Sequence, residues 1–194
     1  MALELYRYLI VIGLCAIIWF VNGYWLLHAA RERIISEIYI HSGLGLFFSL
    51  LTLELALGLA GAWMHYELWW LEVLGLLLYL PAGILVFGSM LELKRKGRPN
   101  AGTSDFTATT TLIDTGLYGI IREPMTMGMA IWSVALVLAF QSLIALLLGA
   151  LAFSCFWMAA RTEDEYNIRK FGDNYKGYRQ RVPLWNVFRR RKRS

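Results

Sequence analysis

Four long apolar stretches, separated by two short polar breaks and one long one, dominate the chain. A helix that crosses a membrane needs about 20 mainly apolar residues at a rise of about 1.5 Å each. Leu5 to Leu27 supplies one such run, and Tyr39 to Met64 a second, interrupted by Glu54. Leu68 to Leu91 supplies a third, with Glu72 near its start and Pro81 inside it. The fourth runs from Met125 to Ala160. As one straight helix it would be about 54 Å long, against a hydrocarbon core of about 30 Å. It must fold back, and the polar pair Gln141-Ser142 marks where. The pattern predicts an all-α fold: a polytopic membrane bundle of five transmembrane helices.

One membrane-embedded domain accounts for the whole chain. Residues 1–91 form three N-terminal spans and 92–126 a cytoplasmic loop. Residues 127–160 form a helical hairpin and 161–194 a cytoplasmic tail. Composition supports this reading. Apolar residues make up 58% of the 194, against about 45–50% in soluble domains, and charged residues 17% against about 25%. Disorder, a coiled coil, a disulfide scaffold and a water-soluble enzyme are all excluded. Cys15 and Cys155 sit inside apolar runs without a CxxC pattern, so neither a disulfide nor a metal site is expected. The first apolar run is too long for a signal peptide and has only Arg7 before it, which predicts an uncleaved first helix.

The net charge of +5 changes the picture through its distribution. Arg31 and Arg33 lie in the first loop, and Lys94, Arg95, Lys96, Arg98 and Arg122 in the third. The tail carries all the other basic residues except Arg7, while Met64 to Glu67 and the Gln141 turn carry none. By the positive-inside rule the N-terminus is outside, and the long loop and tail are cytoplasmic. The charge therefore serves a membrane face rather than nucleic acid. The run Arg189-Arg190-Arg191-Lys192-Arg193 suits anionic lipid.

Both long polar segments thus share one face, where a site would be built. The cluster Thr107 to Thr111 and the turn Asp114-Thr115-Gly116 predict ordered turns in the loop. Ile168, Phe171, Tyr175, Tyr178 and Val182 recur at helical spacing, which predicts an amphipathic tail helix over Arg161 to Val182. Its acids Glu163, Asp164 and Glu165 then fall at the helix start, where the dipole favours negative charge. A helix lying on the headgroups would show the same pattern.

Two blocks of residues carry a resemblance. The first is Asp114-Thr115-Gly116-Leu117-Tyr118-Gly119-Ile120-Ile121-Arg122-Glu123-Pro124-Met125-Thr126-Met127-Gly128. The second comprises Arg161-Thr162-Glu163-Asp164, Phe171-Gly172, Tyr175, Tyr178 and Arg181-Val182-Pro183. In order and spacing the chain resembles the isoprenylcysteine carboxyl methyltransferases. That family shows Gly-x-Tyr and Arg-His-Pro in the first block, then an acidic pair, Phe-Gly, two tyrosines three apart and a proline. The phospholipid N-methyltransferases and sterol reductases share parts of the pattern. Glu123 stands where the family has histidine, and Thr126 where it usually has an aromatic residue.

The resemblance implies S-adenosylmethionine as cofactor and the C-terminal carboxylate of a prenylated cysteine, or a similar lipidic group, as acceptor. It implies a donor site formed by Leu112, Ile113, Gly116, Leu117, Tyr118, Arg122, Glu123, Pro124 and Thr126, with Glu163 and Asp164 from the tail. Tyr118 and the Leu112-Ile113 pair would line a pocket for adenine or sulfonium. Gly116 would permit close backbone approach or a positive φ, and Pro124 would fix the entry into the fourth span. Glu163 would contact the donor's ammonium or ribose, and Arg161 would pair with the acceptor carboxylate, which a guanidinium matches bidentately. Neither metal nor nucleic acid is implied, and nothing in the pattern selects an oligomeric state. The other readings are a phospholipid N-methyltransferase, and a reductase-like or non-catalytic membrane module.

The orientation is open to direct test. Single cysteines introduced at Met64–Glu67 and in the Arg189 tail should show opposite accessibility to an impermeant thiol reagent in sealed vesicles. Labelling of both from the same side would contradict five spans with the N-terminus outside.

Overall fold

The structure, a computed structural model, describes residues 2–98 and 109–186, with side chains from residue 9 onward. Thr107 and the basic run 189–193 lie outside the described residues. Among those described are six α-helices: α1 (Ala2–Glu32), α2 (Ile35–Leu53), α3 (Trp69–Lys96), α4 (Pro124–Phe140), α5 (Leu143–Phe171) and α6 (Asp173–Arg181). A π-helical turn, Glu54–Gly58, extends α2, and a 3₁₀ turn spans Gly116–Gly119. No strand forms among the described residues, only an isolated bridge between His65 and Ser142.

Four helical segments are long and apolar enough to cross a membrane: Leu9–Glu32, Ile35–Gly58, Trp69–Lys96 and Leu143–Phe171. The chain is a polytopic membrane helix bundle. The fifth apolar helix, α4, has 17 residues, which is about 25 Å at 1.5 Å per residue. A segment shorter than the hydrocarbon is accommodated by thinning of the bilayer or by neighbouring protein.

The chain divides into two compact units. The first comprises residues 1–79 and 130–159. Here α1 turns into α2 at Arg33, which adopts φ 56°. Asn22 on α1 donates to the His41 carbonyl at 3.0 Å, and His41 Nδ1 lies 3.0 Å from Asn22 Oδ1. Buried polar side chains are thereby satisfied without water. Leu50, Leu136 and Ala145 form the apolar centre, with Phe47, Leu51, Tyr79, Phe140 and Leu148 packed around them. The outward surface is as apolar as the inside: Leu9, Ile10, Ile12, Leu14, Ile17 and Phe20 are all exposed on α1. A helix apolar on every side belongs in lipid.

Glu54 organises one end of this unit. It is fully buried. Its carboxylate accepts from Trp63 Nε1 at 3.2 Å, from His65 Nε2 at 2.8 Å and from the Ser142 hydroxyl. The apolar run expected to reach Met64 as helix therefore ends at Gly58, because residues 59–65 fold back to bring those donors to the carboxylate. The hairpin falls at Gln141-Ser142 as expected, with Gln141 at φ 52°. Gln141 also locks residues 66–68 in place. Its carbonyl accepts from Tyr66 N at 3.0 Å, and its side chain exchanges hydrogen bonds with Leu68 N (3.0 Å) and Leu68 O (3.1 Å).

The second unit comprises residues 80–129 and 160–194. Here the expected tail helix is corrected. No helix starts at Arg161: α5 runs unbroken from Leu143 to Phe171, because nothing between Ala160 and Phe171 interrupts helical geometry. Glu163, Asp164 and Glu165 are therefore inside a helix and not at its positive end. The break comes at Gly172, whose φ of 60° reverses the chain into α6. The apolar stripe does not lie on headgroups. Tyr175, Tyr178 and Val182 are buried and pack with Leu112, Ile168 and Phe171.

Removing the Glu54 carboxylate leaves the buried Ser142 hydroxyl and the partly buried Trp63 and His65 donors without their acceptor, and a buried donor left unsatisfied costs about 1–3 kcal/mol. Glu54→Leu is expected to lower the thermal midpoint in detergent sharply, equivalent to about 3 kcal/mol or more, and Glu54→Gln by less. A midpoint unchanged in both would contradict a structural role for this carboxylate.

Candidate functional site

In the second unit, the end of α3, the 3₁₀ turn, the residues before α4, the end of α5 and α6 surround a cavity. Its lining is graded. Leu93, Leu112, Ile113 and Phe171 supply an apolar wall, Tyr118, Tyr175 and Tyr178 an aromatic one, and Arg122, Glu123 and Asn167 the polar groups. Thr109 and Thr111 close the remaining side. The threonine segment is ordered against the end of α3, where Thr110 N and Thr111 N donate to the Gly97 carbonyl at 2.9 and 3.1 Å. The cavity volume is about 50 Å³, room for a few water molecules. A nucleoside would require the lining to part.

Behind this lining is a buried charge cluster. Asp164, on α5, is 6% exposed and Arg122 is 8% exposed. Arg122 Nη2 lies 3.1 Å from Asp164 Oδ2, and the Tyr175 hydroxyl donates to Oδ1 at 2.7 Å. Arg179 Nε approaches Oδ2 at 3.5 Å from the surface side. Arg122 also donates to the Arg179 carbonyl at 3.0 Å, and its backbone N to the Pro183 carbonyl at 3.0 Å. The residues before α4 are thus tied to α5 and to the C-terminal end of α6. A carboxylate this dry persists only because charged and hydroxyl donors answer it. The Arg122 Nε, also buried, has no hydrogen-bond partner among the described residues.

Electrostatics single out Glu123. Loss of water around it, and then the nearby Glu163 and Asp164 carboxylates, push its carboxyl well above the ordinary range; Arg122 only partly offsets this. Tyr118, Tyr175 and Tyr178 are all pushed upward too, mainly by burial and then by Glu123, so each phenol keeps its proton at neutral pH. The Tyr178 hydroxyl donates to the Tyr118 carbonyl at 2.7 Å, joining α6 to the 3₁₀ turn.

The residues singled out from sequence divide by position. Leu112, Ile113, Tyr118, Arg122 and Glu123 line the cavity. Asp164 stands directly behind it through Arg122 and Tyr175. Glu163 acts on Glu123 through its charge, with Asn167 Nδ2 3.5 Å from its Oε1. Gly116, Leu117, Pro124, Thr126 and Arg161 are not among the lining residues. Pro124 is buried as the first residue of α4, and the Thr126 hydroxyl donates to the Glu123 carbonyl at 3.1 Å, so both shape the helix start. Arg161 is exposed on α5. Leu93 and Asn167 were not anticipated. Asn167 had a signal: it follows Asp164 by three and precedes Phe171 by four, one helical face once α5 is known to continue. Tyr175 and Tyr178 stood in the motif and in the apolar stripe, but nothing in the sequence marked them as pocket walls.

A comparison with known families falls on this region. A family model described as phospholipid methyltransferase matches residues 70–174, more than half the chain. The chain belongs to the phospholipid methyltransferase family. The matched span in this family member contains the cavity lining except Tyr175 and Tyr178, and contains both Arg122 and Asp164. The chain is also similar to a protein-S-isoprenylcysteine O-methyltransferase of Schizosaccharomyces pombe, 32% identical over 73 residues. That segment covers 37% of this chain and 31% of the yeast protein, so the chain spans about a third of that relative's length. The resemblance noted from the two sequence blocks therefore has an independent counterpart. No solved structure matches the chain significantly.

The raised Glu123 carboxyl has a consequence for stability. The native protein holds this proton to higher pH than the unfolded chain, whose glutamates titrate near about 4.3. Between that value and the raised one the native state binds more protons, so stability falls as pH rises. Glu123→Gln removes the titration. Its thermal midpoint should exceed that of the parent at pH 8, with the difference closing below about pH 4. A difference independent of pH would contradict the assignment.

Proposed function

We propose that the chain is an S-adenosylmethionine-dependent methyltransferase whose acceptor is the C-terminal carboxylate of a prenylated cysteine or a similar lipidic group. The observation that carries this reading is one cavity combining an apolar and aromatic wall with a carboxyl group and a guanidinium, most of its lining inside the family-matched span. The residues fit the donor chemically. Leu112, Ile113, Phe171 and Tyr118 suit a nucleobase. Glu123, with Glu163 and Asp164 behind it, suits a positively charged sulfonium and ammonium. Arg122 lines the cavity, and its Nε is a buried donor without a partner among the described residues, which a carboxylate would answer.

When bound, this donor supplies an activated methyl group on a cationic sulfur. The protein's part is to bind, orient and exclude water, which accounts for much of the rate in a displacement between two held groups. A carboxylate acceptor is ionised at neutral pH and needs no base. Arg161, exposed one helical turn before Asp164, is the guanidinium proposed to meet that carboxylate. The acceptor's chain would stay in hydrocarbon, where each buried CH₂ contributes about 0.8 kcal/mol. By the positive-inside pattern the site is on the cytoplasmic side.

A second reading, a phospholipid amine as acceptor, is favoured by one observation. An ammonium must lose a proton, and Glu123, with its pKa raised, is the kind of base that step requires.

Purified protein in detergent should show a raised thermal midpoint with S-adenosylhomocysteine, because a ligand bound only by the native state stabilises it. Glu163→Ala should weaken that binding several-fold, and Glu32→Ala should not. Supplied in parallel with labelled donor, a prenylated cysteine should become the labelled methyl ester while phosphatidylethanolamine stays unlabelled. Label in phosphatidylethanolamine alone would establish the second reading, and no shift with S-adenosylhomocysteine would overturn both.

A further inference from the structure

We infer that Glu92 is a positioning residue of this site, holding the Tyr118 wall of the cavity against the end of α3. The inference rests on the proposed donor pocket and concerns a residue outside its lining.

Tyr118 sits in the 3₁₀ turn Gly116–Gly119, a piece of chain too short to hold a side chain by itself. Three contacts fix it. The Tyr178 hydroxyl donates to its carbonyl from α6. The buried Ser89 of α3 lies beside its phenol. One helical turn further along α3, Glu92 Oε2 accepts from the backbone N of Leu117 at 3.1 Å. Ser89 and Glu92, three apart, share one face of the helix. One therefore holds the side chain of Tyr118 and the other the backbone beside it.

The sequence around the turn is built for this contact. Gly116 has φ +64°, and a Cβ there would collide with the Glu92 carboxylate. The glycine thus meets both requirements at once: a left-handed conformation and room for the carboxylate. Lys96, one turn beyond Glu92, donates to Glu92 Oε1 at 3.1 Å and to Thr115 Oγ1 at 3.3 Å, closing a loop of contacts around the turn. The carboxylate is held by Lys96 through one oxygen and spends the other on the backbone. A hydrogen bond accepted by an ionised group is stronger than a neutral one. It acts here on the residue next to a pocket wall, where a displacement of about 1 Å is felt at the reacting centre.

Hydrogen exchange and calorimetry test this together. In the parent protein the Leu117 amide should be protected and S-adenosylhomocysteine should bind. Glu92→Ala should lose Leu117 protection and weaken binding about tenfold. Glu92→Gln, which keeps an acceptor oxygen, should restore protection and bring affinity to within about threefold of the parent. Gly116→Ala, which displaces the carboxylate, should reproduce the Glu92→Ala result. Parent affinity in Glu92→Ala, whatever happens to the amide, would overturn the inference. If Glu92→Ala does not fold, Glu92→Asp decides. Its carboxylate is withdrawn by one methylene, so a faster Leu117 amide with weaker binding supports the inference, and parent affinity overturns it. Absence of binding by the parent itself would instead count against the donor pocket. The Leu117 exchange rate would then still report whether Glu92 holds the turn.

Discussion

A carboxylate kept out of water can persist only where donors are brought to it, and Asp164 imposes that condition on the whole second unit. Its partners come from separate parts of the chain: Arg122 from the segment before α4, Tyr175 and Arg179 from α6. Tyr175 follows Asp164 by 11 residues, and a continuous helix would carry it well past that carboxylate. The reversal at Gly172 returns it. The same reversal buries Tyr178, whose hydroxyl reaches the Tyr118 carbonyl. One desolvated charge thus explains why α6 exists, why its tyrosines face inward and why the segment before α4 is held against it. The cavity is the space left between these obligations.

The first unit obeys the same rule. Glu54 accepts from Trp63, His65 and Ser142, so the residues after its π-turn fold back instead of continuing a helix. Elsewhere this unit turns apolar side chains outward, which only a hydrocarbon solvent permits. Polar groups within it are satisfied locally, as Asn22 and His41 satisfy one another.

Hydrophobic periodicity made the helices and the hairpin at Gln141-Ser142 legible, because lipid enforces both length and polarity on a spanning segment. It misled at Ala160. There hydropathy changes sharply but the backbone does not, since helix continuation depends on local geometry rather than on the medium. The sequence reading therefore ended a helix where only the apolar character ended. The sequence reading grouped Leu112, Ile113, Tyr118, Arg122 and Glu123 in one donor site with Pro124 and Thr126; the first five line the cavity, and the last two serve the start of α4. Adjacency in a motif does not separate a residue that faces a cavity from one that shapes the backbone beside it. Glu92 was invisible for a different reason. It reads as the charged end of a span, and its partner Leu117 lies 25 residues away.

On the proposed function, the methyl donor occupies the cavity lined by Tyr118, Arg122 and Glu123. Irradiating the purified protein with S-adenosylmethionine labelled in its methyl group, then mapping the labelled peptides, tests it most directly. Saturable labelling confined to peptides containing Tyr118 and Tyr175–Tyr178, and suppressed by excess S-adenosylhomocysteine, is expected. Saturable labelling around Glu54 and His65 instead, or none that competitor suppresses, would contradict it.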